Sequence, residues 1–158
     1  LSRLDSGSLA LDIDSVDLAE LAELVAREFK PATLEHGTDL RLQLPEGGVA
    51  ARCDRERVVQ IVRILLDNAL RHTPPGTTVR LSAGADAAGA ALTIADEGPG
   101  LPPGKAVFGR FVPGGAGQGG GLGLAIAREL AERMGGSLRS SENGSGATFT
   151  LELPEAAR

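Results

Sequence analysis

The 158-residue chain has no tryptophan or tyrosine, four phenylalanines, one methionine, one cysteine and two histidines. A single cysteine, Cys53, cannot close an intrachain disulfide, and with His36 and His72 the set is too small for a zinc cluster, so a reducing, cytoplasmic setting fits. Lysine is nearly absent too. Lys30 and Lys105 are followed by Pro31 and Ala106, which excludes a phosphate loop of the GxxxxGK[ST] type. Basic residues number 16 against 21 acidic ones, a formal charge of −5. That balance leaves no broad electropositive face, and nucleic acid is not expected as a partner. No apolar run approaches the ~18 residues of a membrane span, and the opening LSRLDSGS lacks the basic and apolar regions of a signal peptide. The fragment is therefore expected to be soluble, monomeric and not embedded in a membrane.

What is present describes one globular domain: 42% apolar and 23% charged residues can build a single core at this length. Residues 1–8 read as a linker stub, 9–154 as the domain and 155–158 as a tail. From Asp17, the residues Leu18, Leu21, Ala22, Val25 and Phe29 repeat at three and four, an apolar stripe on a helix closing near His36 and Gly37. Leu40, Leu42 and Leu44 alternate with polar residues as in a half-buried strand, and Val49 to Arg52 offer a hairpin partner. A second helix starts after Asp54 with the stripe Val58, Ile61, Val62, Leu65 and Ala69, and ends before Pro74. Strands follow at 79–83 and 91–95. A long loop rich in Pro and Gly covers 101–120, a third helix about 121–134, and two last strands 138–141 and 147–153. The pattern implies a sheet with one wet face and one face covered by helices.

Three features carry chemistry. Asp96 shares parity with Leu92 and Ile94, so its carboxylate extends the apolar row and is at least partly buried. It either caps the turn over 96–100 through the Gly98 and Gly100 amides or accepts from a ligand. On the second helix, Ile64, Asn68, Arg71 and His72 fall on one face by three-and-four spacing, apart from the apolar stripe. An amide and a guanidinium there suit a metal-bound phosphate, although an arginine at a helix C-terminus also complements the macrodipole. Finally, seven of the 22 glycines lie between Gly114 and Gly123, directly before a helix whose amides could receive phosphate. The GxGxxG match at 115–120 follows a Pro-rich loop rather than a strand, which argues against a dinucleotide fingerprint.

In order, LLDNALRHTPPG (65–76), DEGPGLP (96–102), VFGRF (107–111), GGGLGLAIARELAERMGG (119–136) and GSGATFTLELP (144–154) resemble the catalytic ATP-binding domain of sensor histidine kinases. The resemblance covers essentially residues 9–154, and LSRLDSGSLAL is similar to the end of the dimerisation helix that precedes such domains. It implies an α/β (α+β) two-layer sandwich of the Bergerat type: three helices on one face of a mixed sheet of about five strands, with a mobile lid over ATP.

It also implies roles. Asn68 matches the Mg²⁺-binding asparagine, Arg71 a phosphate-reaching base and His72 a residue flanking adenine. Asp96 matches the acceptor of the adenine amino group, with Gly98, Gly100 and Leu101 shaping the turn beneath the base. Phe108, Arg110 and Phe111 match the lid, Arg110 being suited to the terminal phosphate. Gly119, Gly121, Leu122, Gly123 and Leu124 match the glycine box around the phosphates. The implied activity is transfer of the γ-phosphoryl of Mg-ATP to a histidine on a separate dimerisation domain, for relay to a response regulator. Asn68, Arg71 and Arg110 are the implied catalytic residues. One position departs: Ile64 stands where the family usually has a polar residue, and an aliphatic chain can neither ligate a cation nor orient water. That departure keeps a nucleotide-sensing module with weak transfer as an alternative. An anti-sigma-factor serine kinase of the same fold is disfavoured by the helix stub.

Overall fold

The computed structural model describes residues 10–87, 89–97, 120–142 and 146–156. In chain order the elements are β1 (Ile13–Asp17), α1 (Leu18–Glu28), α2 (Lys30–His36), β2 (Asp39–Gln43), β3 (Ala50–Asp54), α3 (Arg55–Arg71), β4 (Thr78–Asp86), β5 (Gly89–Asp96), α4 (Gly120–Arg133), β6 (Ser137–Glu142) and β7 (Ala147–Leu153). Five strands form one mixed sheet in the order β2-β4-β5-β7-β6, in which β2 and β4 are parallel and the other neighbours antiparallel. A separate antiparallel pair joins β1 to β3.

Register explains the core. Leu81 stands opposite Ile94, Ile94 opposite Phe149, and Leu92 opposite Leu151, so these side chains share one face. They are all buried, together with Leu18, Leu21 and Val25 of α1, Ile61, Val62 and Leu65 of α3, and Ala127 and Leu130 of α4. The opposite face carries Arg80, Thr93, Thr150 and Glu152, half-exposed. Helices on one face and water on the other is the arrangement that the alternation implies.

Two aspartates hold the helices to the strands. Asp17 caps α1 by accepting from the Ala19 amide at 3.0 Å and also accepts from the Val49 amide at 2.9 Å. Asp54 caps α3 through the Glu56 and Arg57 amides and receives the Asp12 amide at 3.0 Å. Each thus accepts from the opening turn of its helix and from the amide of the residue just before a remote strand, Val49 before β3 and Asp12 before β1.

The structure corrects four readings. The first helix breaks at Phe29, whose amide bonds back to Val25, because Pro31 cannot continue the ladder and its ring would clash with the carbonyl of Arg27. It restarts as α2 with Pro31 in its first turn and ends at Gly37, where φ is 85°. The segment expected to form a hairpin with β2 instead pairs as β3 with β1, and β2 runs parallel to β4 at the sheet edge. Leu42, read as half-buried, is 41% exposed there, since an edge strand has a neighbour on one side only. Residues 155 and 156, read as tail, join β3: Glu155 bridges Ala51, and the Ala156 amide donates to the Ala50 carbonyl.

Cys53 is fully buried in β3. Burial first, and then the neighbouring Asp54 charge, push its thiol from an ordinary 9.0 up to about 11. Because only the thiolate is nucleophilic, iodoacetamide at pH 8 should leave the native protein unlabelled and modify it after denaturation; native-state labelling at the denatured rate would contradict the burial. The thiol loses its proton near 9.0 when unfolded and near 11 when folded. Stability is therefore retained below pH 9 and falls between pH 9 and 11, by at most roughly 1.4 kcal/mol per pH unit.

Candidate functional site

Three elements meet at one end of the sheet. Along β5 the residues alternate between half-buried and buried, and Asp96 closes the buried row at 9% exposure. The parity expected of Asp96 is thus observed, and Glu97 turns outward to meet Arg80 at 3.1 Å. Asp96 stands opposite Val79 of β4, and its Oδ1 accepts from the buried Ala147 amide at 3.4 Å. The carboxylate thus stands at the end of an apolar row, on the parity of the helix-covered side.

The C-terminal end of α3 lies at the same end of the sheet. Between it and β4 only the turn 72–77 intervenes, fixed by Thr73 Oγ1 donating to the Ala69 carbonyl at 2.7 Å and Thr77 Oγ1 donating to the Pro74 carbonyl at 2.6 Å. The Thr78 carbonyl then receives the Glu97 amide, which ties the end of this turn to the residue after Asp96. Asn68 is half-buried on α3, and its amide makes no side-chain hydrogen bond among the described residues. Arg71 is exposed and paired with Asp67 at 2.7 Å. An exposed pair of this kind contributes about 0 to 1 kcal/mol, so the guanidinium can leave it for a phosphate at little cost. His72 is the exposed C-cap of α3.

The third element is the first turn of α4. Gly120 and Gly121 open the helix, Leu122 is 54% exposed and Leu124 is buried in the core, so the two leucines of the glycine box part company. Gly123 meets α3: a Cβ placed on it would lie 3.4 Å from Ile64 Cγ2. Ile64 itself is partly buried and packs against the core, which corrects its assignment to a face apart from the apolar stripe. Gly98, Gly100, Leu101, Phe108, Arg110, Phe111 and Gly119, together with the lid and the N-terminal stub, lie outside the described residues.

One residue at this end was not singled out from the sequence. Gly146 enters β7 so close to β5 that a Cβ on it would sit 1.7 Å from the Asp96 carbonyl oxygen. A glycine immediately before an alternating strand is the available signal, since it marks a close backbone approach.

Among the described residues no group of three or more His, Cys, Asp and Glu side chains could hold a metal ion. The donor set instead suits a cation delivered with phosphates, since Mg²⁺ keeps much of its oxygen shell in water and phosphate and needs only one or two protein ligands. The Asn68 side-chain amide, half-buried and without a side-chain hydrogen bond among the described residues, has the chemistry to fit such a role. The buried Asp96 acceptor fits an exocyclic amine.

Residues 53–157 match the model of the histidine kinase-, DNA gyrase B-, and HSP90-like ATPase family. The swarming motility regulation sensor protein RssA of Serratia marcescens is 37% identical over all of this chain, and the signal transduction histidine-protein kinase BaeS of Escherichia coli is 33% identical over 98% of it. The chain spans about a third of each, 35% and 34%. Among solved structures, full-length ShkA in complex with AMPPNP matches with a TM-score of 0.85 at 32% identity, covering 99% of this chain and 34% of that one. The Acinetobacter baumannii histidine kinase AdeS matches with a TM-score of 0.82 at 26% identity, covering 98% of this chain and 73% of that one. A five-stranded mixed sheet with helices on one face is thus shared with proteins of known kind, and this chain belongs to the histidine kinase-, DNA gyrase B-, and HSP90-like ATPase family.

Proposed function

We propose that this domain binds Mg-ATP between the C-terminal half of α3, the end of β5 and the first turn of α4, and presents the γ-phosphoryl to a histidine on a dimerisation domain. From there the phosphoryl passes to a response regulator. The observation that carries the reading is the placement of Asp96, a buried carboxylate at the mouth of the core on the strand that faces the helices. It would accept from the adenine amino group. Asn68 would hold Mg²⁺, and Arg71, freed from Asp67, would neutralise phosphate charge; bound Mg²⁺ supplies charge stabilisation to a transfer dominated by positioning and electrostatics. The relatives named as sensor kinases, and the AMPPNP held by ShkA, support the same class of ligand and reaction. Among the described residues no helix is long and apolar enough to cross a membrane.

Neither histidine offers an acceptor within the domain. His36 closes α2 with Nδ1 2.6 Å from Thr38 Oγ1, and His72 caps α3. The chain by itself is therefore expected to bind nucleotide without gaining acid-labile phosphate, and to phosphorylate a dimerisation domain joined to it. Asn68→Ala should lower affinity for a nonhydrolysable ATP analogue by about ten-fold with Mg²⁺ and leave the metal-free affinity unchanged. Titration calorimetry in the presence and absence of Mg²⁺ reads both, and equal losses under the two conditions would remove Asn68 as the metal ligand.

The second reading, a nucleotide-sensing module, draws on Ile64. If the joined protein binds nucleotide but is not labelled, and Ile64→Asn restores labelling, sensing replaces transfer.

A further inference from the structure

Ile64 lies one helical turn before Asn68 on α3 and packs against the core. Its γ2 methyl faces Gly123, the fourth residue of α4, across a gap that a single Cβ on the glycine would close to 3.4 Å. At this point α4 presents bare backbone to the Ile64 γ2 methyl. The distance between packed helices is set by the side chains at their contact. A β-branched residue in a helix keeps essentially one χ1 rotamer, so the γ2 methyl is a fixed stop, whereas a longer polar side chain could swing aside.

We propose that Ile64 is a positioning residue that sets the separation between Asn68 and the first-turn amides of α4. Resting on the nucleotide reading above, the inference assigns Ile64 the width of the slot that a metal-bound triphosphate must span. The amides that open a helix have no partners within it, and in α4 those of Gly120, Gly121 and Leu122 are among them. Only if α4 is held at the right distance can they and Asn68 engage the same phosphate chain. The absence of a polar group at position 64 is then a trade of cation or water chemistry for rigid spacing.

Ile64→Val and Ile64→Leu separate spacing from stability. Valine keeps the γ2 methyl and the single rotamer while losing the terminal methyl. Leucine keeps the volume but moves the branch outward, which takes the methyl from the Gly123 contact. With Mg²⁺ and a nonhydrolysable ATP analogue, the valine variant should bind within about two-fold of the parent. The leucine variant should bind at least about ten-fold more weakly, as expected when reacting or binding groups are misplaced on the ångström scale. Adenosine, which has no phosphates, should bind all three proteins alike when followed by nuclear magnetic resonance shifts. Leucine binding the analogue like the parent would overturn the inference while leaving the nucleotide reading intact. So would losses that track thermal stability and extend to adenosine, because they would show a structural role only. A parent protein that takes no analogue at all would remove the nucleotide reading and this inference together.

Discussion

Asp96→Ala is expected to weaken ATP binding by about ten- to 150-fold, the loss of a charge-assisted hydrogen bond of roughly 1.5 to 3 kcal/mol. The expectation follows from position: Asp96 ends a row of buried apolar side chains, and there a hydrogen bond to a charged acceptor is less diluted by water than at the surface. GTP should bind poorly to the parent, because a carbonyl would replace the amino group and meet a carboxylate oxygen. The alanine variant also strips the Ala147 amide of an acceptor, so a fall in affinity could arise from a disturbed strand. Asp96→Asn resolves this, since its amide oxygen can still receive that amide without the negative charge. Calorimetry should find the asparagine variant folded with the parent's melting midpoint yet weakened toward ATP. Equal ATP affinity in parent and alanine variant would take Asp96 out of the site.

The elements most legible from sequence are those whose burial repeats with a short period. The stripes Leu18, Leu21, Val25 and Val58, Ile61, Leu65 are buried as spaced, and the alternation through Leu92, Ile94 and Asp96 puts the Asp96 carboxylate in the buried row. β1 was not legible. In IDSVD only Val16 is buried, so there is no alternation to detect, and the partner β3 lies more than thirty residues away. The same non-local pairing misled the reading of β3 as a hairpin arm of β2. Pro31 was visible, but a continuing stripe through Phe29 outweighed it; the break shows that a missing amide and a ring clash overrule hydrophobic spacing. At the site, Ile64 was ambiguous because its spacing fits both the face of Asn68 and the edge of the stripe at Ile61 and Leu65. Its packing against the core decides between them. The Arg71–Asp67 pair is legible in the four-residue spacing of opposite charges on a helix.

Gly146→Ala is expected to damage stability and nucleotide affinity together, whereas Gly136→Ala should damage stability alone. Neither glycine has positive φ, so the demand at both is for space. A Cβ on Gly146 would lie 1.7 Å from the Asp96 carbonyl oxygen and 2.7 Å from its carbon. A Cβ on Gly136 would lie 1.9 Å from the Glu152 carbonyl oxygen. Those are backbone atoms of paired strands and cannot rotate away, so each variant must separate strands at a cost of about 1 to 3 kcal/mol or more, as overpacking does. The melting midpoint should then fall by several degrees. Their positions along β7 differ, however. Glu152 pairs with Ser137 near the C-terminal end of β7, whereas Ala147 at its N-terminal end supplies the amide bonded to Asp96. Relief of the Gly146 clash must move Asp96 itself, and with it the proposed adenine contact. Relief of the Gly136 clash moves the α4–β6 connection and leaves Asp96 in place. Gly47→Ala, at an exposed position with nothing within 4 Å of the added carbon, should match the parent in both measurements. Thermal melts paired with titrations of an ATP analogue at a temperature where all variants are folded separate the effects. If the Gly146 and Gly136 variants lose affinity equally, Gly146 has no special tie to the site and its tight approach to Asp96 serves only the sheet.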